Sequence, residues 1–142
     1  MDIQETIDYC INSAIKIGIE TYNRTLDFSD DSIIFVDEIL DGYHDRYINS
    51  EKDNGLIKEH ANTYAHIFGI YIGEVLRCNH ASDYIWMDTE FGLTLSKNVQ
   101  NQVNPIAKVY KQIINGKESG DDIKSFFNIA ILIMQGKFPT NR

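Results

Sequence analysis

Ser82-Asp83-Tyr84-Ile85-Trp86-Met87-Asp88-Thr89-Glu90-Phe91-Gly92-Leu93-Thr94-Leu95 is where the apolar spacing of the chain changes. On either side apolar residues recur every three or four positions, the period of a helix face. Within it, Tyr84-Ile85-Trp86-Met87 and Leu93-Thr94-Leu95 are rich in strand formers and flank the turn-like Asp88-Thr89-Glu90-Phe91-Gly92, which predicts a hairpin. Residues 99–103 supply a third short strand. A small antiparallel sheet of two or three strands within 82–103, with about five helices around it, places the chain in the α+β class.

Upstream, Ile3, Ile7, Cys10, Ile11, Ala14 and Gly18 form one helical stripe, widened by Ile15, Ile17 and Ile19. This predicts a long first helix to Tyr22, mostly buried. Ser29 or Asp30 can cap a second helix whose apolar positions are Ile33, Val36, Ile39, Leu40 and Tyr43. A polar loop over 47–55 leads into a third helix ending near Arg77. Along that helix Ala61, Ala65, Gly69 and Gly73 recur every four residues beside Tyr64, Phe68, Tyr71 and Val75. Glycine inside a helix costs roughly 1 kcal/mol relative to alanine, so a close helix crossing is the expected compensation and this helix the expected centre.

Downstream, Asn104-Pro105 is a cap followed by proline in the first turn, and Ile106, Val109, Tyr110, Ile113 and Ile114 form a stripe ended by Asn115-Gly116. A last helix starting within 119–122 carries Ile123, Phe126, Phe127, Ala130, Ile131 and Met134. Residues 139–142 read as a tail.

The 142 residues suit a single domain over 1–142, with 43% hydrophobic residues to build its core. The net charge of −8 is divided unevenly. Residues 1–96 hold 18 acidic and six Lys/Arg residues, and residues 97–142 hold three and seven. Such a charge repels phosphates, which argues against nucleic acid, and attracts a basic protein. The longest apolar run, Ile129 to Met134, is far below the roughly 20 residues of a membrane span, so no membrane is expected. The acidic start lacks the features of a secretory signal, and Cys10 and Cys78 read as reduced core thiols, both consistent with a cytoplasmic protein.

No phosphate-binding loop, dinucleotide fingerprint or hydrolase signature occurs, which argues against an enzyme; no cofactor or metal is expected. Asp37, Asp41, His44 and Asp45 have a metal-like spacing but read first as a solvated face, and His60 and His66 fall on different sides of their helix. The pair Cys78 and His80 is too loosely placed at a helix end to mark a nucleophile. The conspicuous feature is Asp27, Asp30, Asp31, Asp37, Glu38, Asp41 and Asp45, with no Lys or Arg among them. A helix dipole explains the early acids but not Asp41 and Asp45, leaving a solvated face or a docking surface at Asp30, Asp37, Glu38, Asp41 and Asp45. The alternative is a small-ligand domain or enzyme with a pocket between the third helix and the sheet, using His66, Tyr71, Glu74, Arg77 and Trp86. Glu74 and Arg77 also suit a local ion pair, and Trp86 suits packing of sheet on helix. A self-associating homo-oligomer is a third reading.

Leu26-Asp27-Phe28-Ser29 leading to Val36-Asp37-Glu38-Ile39-Leu40, then Gly69 to Arg77, Trp86 and Asn104-Pro105, resemble a family of small uncharacterised bacterial domains of unknown function. The resemblance implies a fold and no reaction. In size and acidity the chain also resembles the immunity proteins of bacterial toxin systems, which neutralise a toxin by binding it. That likeness implies a protein-binding antitoxin with a basic partner.

Overall fold

A computed structural model describes residues 2–49, 58–117 and 122–137. The described elements are α1 (Ile3–Tyr22), α2 (Ser32–Ile48), α3 (Lys58–His80), β1 (Ile85–Thr89), β2 (Gly92–Asn98), β3 (Asn101–Val103), α4 (Pro105–Asn115) and α5 (Ile123–Met134). Five helices and an antiparallel sheet in the order β1-β2-β3 make an α+β fold. No helix among the described residues is long and apolar enough to cross a membrane.

Caps written in the sequence set several boundaries. Asp2 accepts the Glu5 N–H at 2.8 Å to start α1, Asn104 accepts the Ala107 N–H at 3.0 Å to start α4, and Asp122 accepts the Ser125 N–H at 2.7 Å to start α5. At α2 the helix begins at Ser32 with Asp31 at the cap position, just past the expected Ser29 or Asp30, and the Ser29 side chain accepts the Ser32 N–H at 3.2 Å.

α3 is the centre: every residue from Ile67 to Leu76 is buried, and the helix packs against α1, α2, α4 and α5. A helix buried all round must be approached from several directions, and its two inner glycines mark two of them. A methyl group on Gly69 would lie 2.6 Å from the Ile106 Cα at the start of α4, so the expected close helix crossing is present. At Gly73 the neighbour is the sheet: a methyl group there would collide with the Trp86 ring and lie 3.1 Å from Leu95. Trp86 pairs with Leu95 across the β1–β2 ladder, so both side chains leave the same face and seat the sheet on α3.

Other expectations require correction. α1 buries only Ile7, Cys10, Ala14 and Gly18, and Ile3 and Ile19 are exposed, because α3 covers one side of it, α2 touches it near Tyr22, and no other described element packs closely on the remainder. Cys10 is in the core, but Cys78 is exposed: the fully buried stretch of α3 ends at Leu76 and its last turn emerges. The expected loop over 47–55 starts only after α2 ends at Ile48. Its residues 50–55, the helix start at 119–121 and the tail at 139–142 lie outside the described residues.

Candidate functional site

The acids of α2 do not form one open face. Asp37 stands four residues after Ile33 and three before Leu40, on the buried stripe, and is only 6% exposed. One carboxylate oxygen accepts from Gln112 Nε2 at 2.9 Å and the Ile123 N–H at 3.0 Å; the other accepts from the Lys124 N–H at 3.0 Å. The carboxylate fills the positive N-terminal end of α5 and joins α2, α4 and α5. That burial takes Asp37 out of the expected docking surface.

The remaining acids of that set are largely engaged within the chain. Asp30 receives His80 Nε2 at 2.6 Å and Asn79 Nδ2 at 3.1 Å, Glu38 receives Arg24 Nε at 2.9 Å, and Asp41 faces Lys117 Nζ at 3.1 Å. Partial burial pulls the Lys117 ammonium pKa down, but hydrogen bonding to Asp41 and the fields of Asp37, Asp41 and Asp122 outweigh it and leave the pKa raised. Asp31 and Asp45 are exposed. His44 does not join a metal set: its Nδ1–H donates to the Ile113 carbonyl at 2.7 Å and its ring packs on Gly116, closing the end of α4. No His, Cys, Asp and Glu group suited to a metal occurs among the described residues.

The five residues expected to share a ligand pocket occupy three places. Glu74, Arg77 and Trp86 come together. Arg77 binds the Glu74 carboxylate through Nε at 2.8 Å and Nη2 at 3.1 Å, and Trp86 Nε1 donates to the same carboxylate at 2.9 Å. The hydrogen bonds to Glu74 hold the guanidinium pKa above its ordinary value. With Ile3, Gln4, Ile7 and Ile85 these three line a surface cavity of about 240 Å³ between α1, α3 and β1.

His66 borders a second groove, of about 400 Å³, between α3, the β1–β2 hairpin and α4, together with Phe91, Leu93, Tyr110 and Lys111. Its Nδ1–H donates to the Asn62 carbonyl at 2.8 Å, which leaves the lone pair of the neutral ring on Nε2. Tyr71 is inside the protein. Its hydroxyl lies 2.7 Å from Ser32 Oγ and accepts the Phe28 N–H at 2.9 Å, and burial pushes its pKa up. Phe28 has a positive φ of 66°, costly for an aromatic residue, and Tyr71 and Asn79 hold its N–H and carbonyl there.

A further surface was not singled out from sequence. Residues alternate across β1, so Trp86 enters the core while Ile85 and Met87 leave from the outer face, 57% and 46% exposed. Phe91 at the hairpin tip is 72% exposed. The alternating pattern of 84–87 was the available signal: with Trp86 assigned inward, its two apolar neighbours must point out.

The chain matches no family model, no curated protein and no solved structure.

Proposed function

We propose that this chain is a cytoplasmic protein-binding protein that occludes a basic partner, as an immunity protein occludes its toxin. The observation that carries the reading is the exposure of Ile85, Met87 and Phe91 on the β1–β2 hairpin, beside the acids Asp88 and Glu90, while Asp83 is paired with Lys97. Apolar anchors within an acidic rim suit a partner of opposite charge: the anchors supply affinity, and the charges speed encounter and select the partner. Asp31 at the start of α2 and Asp45 within it are also exposed, whereas the acids paired within the chain contribute less to the field of the molecule.

The test is capture of partners on the tagged protein at low and moderate salt, followed by purification of any captured protein and an assay of its activity. The expected result is a basic protein bound in a stoichiometric complex that weakens as salt rises and whose activity is suppressed in the complex. An empty bait, or a partner with full activity when bound, overturns the reading.

The groove beside His66 favours a second reading, a small-ligand site between α3 and the sheet. A ligand that raises the melting temperature of the native protein and not of a His66→Ala variant supports it.

A further inference from the structure

We propose that the free edge of β1 receives an extended basic segment of the partner as a fourth strand of the sheet, a deepening that rests on the protein-binding reading above. The edges of the sheet differ. β3 has three residues and α5 packs against it, whereas β1 has five residues and, among the described residues, pairs only with β2. Alternate N–H and C=O groups of an edge strand point away from its neighbour and form a template for another strand. Two usual guards against such pairing are missing from β1: Ile85-Trp86-Met87-Asp88-Thr89 contains no proline and no lysine or arginine, and its single charge is Asp88. The register irregularity of the sheet lies between β2 and β3, leaving the β1–β2 ladder regular.

The surroundings of the edge specify its occupant. The 240 Å³ cavity is lined by α1, α3 and β1 and by no residue of β2, so it lies on the open side of β1. There it forms a socket for a side chain of the incoming strand. Arg77 Nε and Nη2 are engaged by Glu74, and the Nη1 group, with no partner among the described residues, is available to a backbone carbonyl. Ile85 and Met87 offer cross-strand neighbours to alternate side chains of the newcomer. Asp88 and Glu90 on the hairpin, with Glu5 and Asp8 on α1, set the charge preference, while Lys97 is engaged by Asp83 at 3.2 Å. A second copy would bring the same acids against these, so the occupant is a basic strand of a different protein.

The probe is a synthetic peptide of alternating valine and lysine, with a valine–glutamate peptide as control. Each is titrated into the full chain while Trp86, the single tryptophan, reports by fluorescence and amide hydrogen exchange reports residue by residue. The lysine peptide is expected to slow exchange of the β1 amides and the glutamate peptide to leave them unchanged. Met87→Lys, which places a cation on the exposed face, is expected to weaken binding at least about tenfold at an unchanged melting temperature. Equal effects of both peptides, unchanged β1 exchange, or protection confined to α2 overturns the proposal. Full affinity of Met87→Lys for a basic partner already captured also overturns it while leaving the protein-binding reading intact. Docking of the lysine peptide on β1 in a protein that captures no partner supports the edge site and removes the proposed function.

Discussion

Replacing Asp37 by asparagine would keep the shape of a buried side chain and remove the charge that Gln112, Ile123 and Lys124 address. An asparagine has one acceptor oxygen where the carboxylate has two, so one donor at the start of α5 would face an amide N–H. Charge-assisted hydrogen bonds contribute about 1.5–3 kcal/mol each, and a loss of about 2–3 kcal/mol is expected for Asp37→Asn, read as a lower urea midpoint at unchanged slope. Tyr71→Phe is a second case. It removes the acceptor of the Phe28 N–H and the partner of Ser32 at a backbone with φ of 66°, and about 1–3 kcal/mol of stability should go with it in the same assay. Neither role follows from residue type. An aspartate in an acidic run reads as surface until its place between Ile33 and Leu40 is counted, and the partners of Tyr71 are 39 and 43 residues away.

At the scale of elements, the glycines of α3 separate two kinds of close approach. Gly69 faces backbone at the start of α4, which cannot yield without moving the helix; Gly73 faces the Trp86 ring and Leu95. Alanine at either position gains up to about 1 kcal/mol in helix propensity and loses about 1–3 kcal/mol or more to overpacking. Both variants should be destabilised in thermal melts, and only Gly73→Ala should change the Trp86 fluorescence of the folded protein strongly. The spacing of Ala61, Ala65, Gly69 and Gly73 made α3 legible as the central helix, because small residues every four positions require something close. It could not say that Gly73 meets an indole ring, since spacing records vacancy and not its occupant. The hairpin, the cap at Asn104 and the apolar stripes were legible for a related reason: each is a local pattern. The pocket expected from His66, Tyr71, Glu74, Arg77 and Trp86 was legible only as far as Glu74, Arg77 and Trp86. Tyr71 and His66 sit on other sides of α3, and in a helix buried all round no side is marked in the sequence as the one that opens.

For the whole molecule, the fold places phenols where ionisation is unfavourable. Burial raises the pKa values of Tyr22, Tyr43, Tyr71 and Tyr84, the coulombic effect of Tyr22 and Tyr64 adds to the rise at Tyr43, and burial also raises Cys10. The protonated phenol is the neutral form, and the ordinary tyrosine value is 10.0. Below that value folded and unfolded chains both keep the proton, and the contribution to stability is fully present. As pH rises past it, the unfolded chain releases protons that the folded chain retains, so the unfolded state binds fewer protons and stability falls until the folded phenols ionise. Lys117, raised by its carboxylate neighbours, loses its contribution in the same alkaline direction, and the net charge of −8 becomes more negative as lysines neutralise. Stability should therefore be nearly level from neutrality to about pH 9 and fall steeply above about pH 10, measured by denaturant unfolding at fixed ionic strength. Tyr43→Phe preserves the ring that stacks on Tyr64 with centroids 4.1 Å apart and removes one titrating group, so its alkaline midpoint should rise relative to the native protein. A Tyr43→Phe curve parallel to the native one across the alkaline limb would assign the fall to net charge repulsion, which added salt would then suppress.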